Sequence, residues 1–125
     1  MKRTTSLLLI SIVCAFLSCS EIETQNRVPI AFAGFDRTVA INFSSPEEVE
    51  LDGTGSYDPD SDVLTYNWQI EHIPKKSSLS KIANSDRPLA SFIPDAEGDF
   101  IFSLVVSDGV FVSNKDIVVI TIIKK

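Results

Sequence analysis

Residues 100–107 alternate between two kinds of side chain. Phe100, Phe102, Leu104 and Val106 hold one parity; Ile101, Ser103, Val105 and Ser107 hold the other. A side-chain period of two puts the first set on one face of an extended strand. Leu64, Tyr66, Trp68 and Ile70 repeat the pattern, and Val49 with Leu51 gives a shorter one. Residues 117–123 are β-branched throughout, which suits a strand buried on both faces or a long edge. Turn chemistry separates these runs: Asp52-Gly53-Thr54-Gly55, Asp58-Pro59-Asp60, Ser85-Asp86-Arg87-Pro88, Glu97-Gly98 and Asp108-Gly109. Beyond residue 28 no stretch of ten or more residues carries a helical stripe. The pattern predicts an all-β, two-sheet antiparallel sandwich. Its expected core is Leu51, Tyr66, Trp68, Phe100, Phe102, Leu104 and Val106, with Trp68 on a central strand filling the space between the sheets.

The beginning of the chain obeys a different logic. Lys2 and Arg3 precede residues 7–17, an apolar run whose one clearly polar member is Ser11. That run is about half of the ~20 residues a membrane-spanning helix needs, and it fits the apolar region of an export signal. Phe16-Leu17-Ser18-Cys19-Ser20 follows, and resembles the lipobox of bacterial lipoproteins, with Phe16 where Leu is usual. The resemblance implies cleavage before Cys19 and diacylglycerol on its sulfur. Cys14 is a poor alternative, because Val13 before it is β-branched and large. The expected organisation is a signal peptide over residues 1–18, a lipidated cysteine and polar tether over 19–28, and one domain over 29–125. Ser20, rather than an acid, after the cysteine points to the outer membrane or cell surface of a bacterial envelope.

Cleavage would remove Lys2 and Arg3, taking the net charge from −6 to −8. Such a chain repels phosphate backbones, so nucleic acid is not an expected partner. Only one cysteine would remain, already bonded to lipid, so the domain has no intramolecular disulfide to lean on.

The domain also carries a family resemblance. Leu51-Asp52-Gly53-Thr54-Gly55-Ser56-Tyr57-Asp58-Pro59-Asp60, followed by Leu64-Thr65-Tyr66-Asn67-Trp68, is similar to the hallmark of PKD domains, the immunoglobulin-like repeats first described in polycystin. Ala31-Phe32-Ala33-Gly34-Phe35-Asp36, Phe92-Ile93-Pro94-Asp95 and the segment from Gly98 to Gly109 continue it in order. The match covers residues 29–123 and departs at residues 71–88. Many members have a Gly-Asp-Gly turn there, where this chain has Glu71-His72-Ile73-Pro74-Lys75-Lys76 and a loop rich in serine and lysine. The resemblance implies an immunoglobulin-like sandwich and non-catalytic contact with protein or carbohydrate. PKD modules accompany adhesins, polysaccharide-degrading enzymes and proteases.

Asp58, Asp60 and Asp62 alternate in one loop, and hard oxygen ligands at that spacing suit Ca²⁺. The same acids are also ordinary turn formers. An EF-hand is excluded, because Val63 stands where Gly is needed and Gln69 where the bidentate Glu belongs. The PKD resemblance implies a calcium set at one pole made of Asn26, Asp58, Asp60 and Asp108. No other cofactor is expected. His72 is the one histidine, so neither a metal triad nor a nucleophile–base pair can be built on it. Glycosidase chemistry needs two carboxylates facing across a cleft, whereas these acids sit in turns, and no enzyme is expected.

Loops of a sandwich carry recognition, and residues 73–87 form the longest. His72, Lys75, Lys76, Lys81 and Arg87 are therefore the expected ligand contacts, and Phe35, Phe43 and Phe111 the candidate exposed aromatics. The expected function is a non-catalytic envelope lipoprotein, held to the membrane by lipid, that binds an envelope protein or polysaccharide. The alternatives are a spacer or subunit of an envelope complex, or an accessory factor for a separate polysaccharide-degrading enzyme.

Overall fold

The computed structural model describes residues 24–125; the expected signal peptide, Cys19 and the first part of the tether lie outside the described residues. β5 (Gly98–Ser107) forms where alternation is strictest, and Phe100, Phe102, Leu104 and Val106 are all buried on one face. It pairs antiparallel with β3 (Thr65–His72) on one side and with β6 (Asp116–Lys124) on the other. β1 (Arg37–Ile41) adds parallel to β6, giving a sheet of order β1-β6-β5-β3. β2 (Val49–Asp52) and β4 (Leu89–Phe92) pair antiparallel as a second sheet. All six elements among the described residues are strands, as the alternation predicts, and the parallel β1–β6 pair departs from the expected antiparallel pairing.

The core lies between the sheets. Val49, Leu51, Ala90 and Phe92 of the small sheet meet Ile41, Trp68, Val118, Ile120, Ile122 and the inward face of β5. The Phe92 ring centroid stands 4.6 Å from that of Phe102 and 5.2 Å from that of Phe100, within the favoured range for tilted aromatic pairs. Gly53 has no room for a side chain: a Cβ there would stand 2.7 Å from Leu104 Cδ2 and 3.1 Å from Trp68.

Two strands cannot cover four, and this corrects three expectations. β6 is neither buried on both faces nor an edge. It runs between β1 and β5, with Val118, Ile120 and Ile122 inward and Ile117 and Ile123 about half exposed. β3, expected at the centre, is an edge strand. Trp68 is still buried, because the loop after β3 folds back along that edge. The Trp68 backbone N–H donates to the Ser85 carbonyl (2.8 Å) and its indole N–H to the Arg87 carbonyl (3.1 Å). An open edge is thereby capped. Tyr66, expected in the core, is half-buried, as are Leu64 and Ile70, because the small sheet does not reach the full width of β3.

The strand directions define two ends. β3 and β6 begin, and β5 ends, where residues 24–36 join the fold; we refer to this as the N-terminal pole. Its loops include residues 53–64 and 108–115.

Candidate functional site

The turn at Asp58-Pro59-Asp60 folds as its residues dictate. Asp58 Oδ1 accepts the N–H groups of Asp60 (2.8 Å) and Asp62 (3.2 Å), and the Asp58 carbonyl accepts that of Ser61 (3.0 Å). Ser61 takes a left-handed φ of 63°. On the hairpin between β5 and β6, Asp108 Oδ1 accepts the N–H groups of Val110 (2.8 Å) and Phe111 (2.7 Å). Asn26 Nδ2 donates to Asp108 Oδ2 (2.9 Å), which ties the incoming chain to that hairpin.

One carboxylate oxygen each from Asp58, Asp62 and Asp108 lies within 4.8 Å of the other two. Opposite ligands of a Ca²⁺ ion are ~5 Å apart, twice a bond of 2.3–2.6 Å, so this grouping fits a hard cation. Two acceptors in the cluster have no partner and no solvent, Asp58 Oδ2 and Asn26 Oδ1. Asp58 as a whole is 8 % exposed. An orphaned buried acceptor costs ~1–3 kcal/mol, and a cation held by the three carboxylates would relieve that cost at Asp58.

The structure brings together Asn26, Asp58 and Asp108 of the expected calcium set, but not Asp60. Arg27 takes Asp60 instead: its Nε (3.0 Å) and Nη2 (2.9 Å) donate to Oδ1, and its backbone N–H (2.7 Å) to Oδ2. Asp62 stands in the vacated position. Alternation in a loop does not fix a side chain's direction once one residue turns left-handed, as Ser61 does. The electrostatics divide the same way. The backbone N–H and guanidinium of Arg27 hold Asp60 below the usual carboxylate range. Loss of water, then the charges of Asp58 and Asp108, push Asp62 above it. Asp108 is lowered, foremost by the Phe111 N–H.

A second feature lies on the flank between β1 and β2. A cleft of about 510 Å³ is lined by Phe32, Phe35, Arg37, Glu50, Asp52 and Thr54. Phe35 is 78 % exposed. Its ring meets that of Phe32 edge to face, centroids 5.2 Å apart and planes at 77°. The chain is tied down on both sides of Phe35: the Ala33 N–H donates to Asp116 Oδ2 (2.7 Å), and the Asp36 side chain accepts the Val119 N–H through Oδ1 (2.8 Å). Phe32 has its place because Gly55 lacks a side chain; a Cβ there would lie 2.4 Å from the ring. Along the wall, Asp52 Oδ1 accepts the Thr54 hydroxyl (2.5 Å) and N–H (2.9 Å), which hold the carboxylate below its usual range. The Arg37 guanidinium donates to the Glu50 carbonyl.

The expected ligand loop does not converge. His72 is exposed at the end of β3, away from the N-terminal pole. Lys75 and Lys76 line a shallow hollow of about 470 Å³ with Phe43, Pro74 and Asp95. Ser78 donates to Asp95 through its N–H (2.7 Å) and hydroxyl (2.9 Å), which fastens the loop down. Lys81 lies farther along, beside Ile82 and Ser85. The Arg87 guanidinium pairs with its neighbour Asp86, at 4.0 Å. The cations are strung along the β3 edge because the loop's task there is to cap it. Of the three candidate aromatics, Phe35 is widely exposed, Phe111 is 40 % exposed and Phe43 packs against the core.

A family model described as K319L-like, PKD domain, matches residues 33–122. Among solved structures, the PKD domain from KIAA 1837 protein aligns with a TM-score of 0.63 at 19 % identity, over 82 % of this chain and 93 % of that one. The PKD domain from human KIAA0319 aligns with a TM-score of 0.60 at 17 % identity, over 82 % and 88 %. A nucleoside hydrolase-related hypothetical protein from Saccharophagus degradans, associated with carbohydrate metabolism, gives a TM-score of 0.60 at 26 % identity, over 78 % of this chain and 26 % of that one. Among curated proteins, alpha-amylase MalA of Haloarcula japonica is 36 % identical over 63 residues, half of this chain and 8 % of the amylase. The chain thus spans a small part of these last two relatives.

Proposed function

The chain belongs to the PKD-domain family, and from that premise we propose that it is a non-catalytic, carbohydrate-binding lipoprotein of the bacterial envelope, anchored through Cys19. The observation that carries this reading is Phe35, a widely exposed aromatic ring packed edge to face on Phe32 and lining a cleft with Asp52 and Arg37. The negative face of an aromatic ring attracts the C–H edge of a pyranose. A planar carboxylate and guanidinium beside it, Asp52 and Arg37, suit pairs of neighbouring hydroxyls. Because the Ala33 N–H and the Asp36 carboxylate already tie the chain down on either side of Phe35, little freedom is lost when a sugar stacks there. Likeness to part of an amylase and to a protein associated with carbohydrate metabolism supports the same class of ligand. The module would hold polysaccharide at the cell surface for a separate enzyme.

The cluster of Asp58, Asp62 and Asp108 with Asn26 is read as a Ca²⁺ site that fastens the incoming chain to two loops of the N-terminal pole. When bound, the ion supplies charge neutralisation and crosslinking, not chemistry on a substrate.

Affinity electrophoresis through gels containing soluble polysaccharides tests the carbohydrate reading, with starch as the first probe. At least one gel should retard the protein, and Phe35→Ala should abolish the retardation while leaving the melting temperature unchanged. Free migration in every gel, or retardation that survives Phe35→Ala, would overturn it.

A further inference from the structure

Exposed apolar side chains gather around the acidic cluster. Val63 follows Asp62 directly and is 86 % exposed. Val110, Phe111 and Val112 follow Asp108 and are 72 %, 40 % and 61 % exposed. One carboxylate oxygen of Asp62 lies within 4.8 Å of one of Asp108, so the loops that carry the two apolar tips meet at this pole. No charged residue stands between Asp108 and Lys115. Such tips are costly to leave in water and mark a docking surface.

The tether names the occupant. Asn26, which is bonded to Asp108 in this surface, lies seven residues after Cys19. Seven extended residues reach at most ~25 Å, so a lipidated Cys19 would hold this pole within that distance of the bilayer. The charge supplies the condition. Three carboxylates repel anionic headgroups, whereas a bound Ca²⁺ cancels much of that charge. Ca²⁺ takes 6–8 oxygen ligands, more than Asp58, Asp62, Asp108 and Asn26 would fill with one each, and phosphate oxygens can complete its shell.

We infer that the N-terminal pole is a cation-dependent bilayer-docking face, in which Val63 and the 110–112 tip enter the headgroup region while Ca²⁺ bridges the acidic cluster to lipid phosphates. This rests on the lipid-anchor and calcium readings above. Docking of this kind needs apolar area and headgroup attraction together.

The processed, lipidated chain in phosphatidylethanolamine–phosphatidylglycerol vesicles provides the test. A nitroxide is placed at Val110→Cys, with Ile93→Cys beyond the far end of β4 as the control; both native side chains are exposed. With Ca²⁺, the label at position 110 should gain collisions with membrane-dissolved oxygen and lose those with an aqueous nickel chelate, and EGTA should reverse both. The label at 93 should stay accessible to nickel throughout. If Ca²⁺ raises the melting temperature but the label at 110 stays accessible to nickel, the ion reading stands and docking is overturned. If neither responds, both fall. Loss of both oxygen and nickel collisions would mean that a protein covers the face, which also overturns bilayer docking.

Discussion

A single methyl group placed on Gly55 would stand 2.4 Å from the Phe32 ring. Gly55→Ala must therefore move the ring that backs Phe35. Overpacking of this kind costs ~1–3 kcal/mol, and the expected outcome is a lowered melting temperature together with weakened polysaccharide retardation. Trp68→Ala acts on the core alone. Removing a buried aromatic costs ~3–5 kcal/mol, and the variant also frees the Ser85–Pro88 segment that the indole N–H helps to hold. A melting temperature within a couple of degrees of the parent would contradict the placement of Trp68. At this scale the sequence was a good guide to identity and a poor one to direction. Trp68 was legible as buried from parity, whereas Phe35 was one of three candidate exposed aromatics, of which Phe43 packs against the core. Arg27 was not, because a lone cation in a polar segment carries no sign of the carboxylate it will meet. The exchange of Asp60 for Asp62 depends on one left-handed residue, Ser61, whose φ no pattern announced.

Between elements, the least expected contact joins β3 to the start of β6. Glu71 accepts Lys115 Nζ at 2.6 Å and the buried Ser103 hydroxyl at 2.6 Å. These partners, the Lys115 hydrogen bond foremost, hold the Glu71 carboxyl below its usual range. Its contribution to stability is then present above the unfolded value of ~4.3 and is lost as pH falls through the lower folded value, because the unfolded chain takes up the proton first. The melting temperature should fall as pH drops below about 5, and Glu71→Gln should flatten part of that fall. An identical profile for parent and variant would contradict the pairing. The strands themselves were legible from alternation, with β5 the clearest. Their order was not: residues 117–123 read as doubly buried or edge because β-branching suits any pleated surface. Only the width of the second sheet decides that one face of β6 is covered.

For the molecule as a whole, the calcium reading makes a linkage prediction. An ion bound only by the folded state stabilises by mass action, by about 2.7 kcal/mol at a hundredfold excess over its Kd. Millimolar CaCl₂ added to chelator-treated protein should raise the melting temperature by several degrees. Asp58→Asn should abolish the shift. Asp60→Asn should keep it, since Asp60 serves Arg27; a loss there would restore the sequence-derived set over the observed one. The sandwich class and the acidic pole could be read from the chain, but the ligand surface could not. The long loop of residues 73–87 drew the expectation by length and charge, whereas the cleft is assembled from two segments, residues 32–37 and 50–55, whose meeting no pattern in the chain announces.

The most direct test of the carbohydrate reading is a titration of isotope-labelled protein with a starch oligosaccharide, followed by amide resonances. The largest shifts should fall on Phe35, Arg37 and Thr54, with residues 93–97 unmoved. Shifts centred on residues 75–87, or no shifts at saturating sugar, would contradict the account.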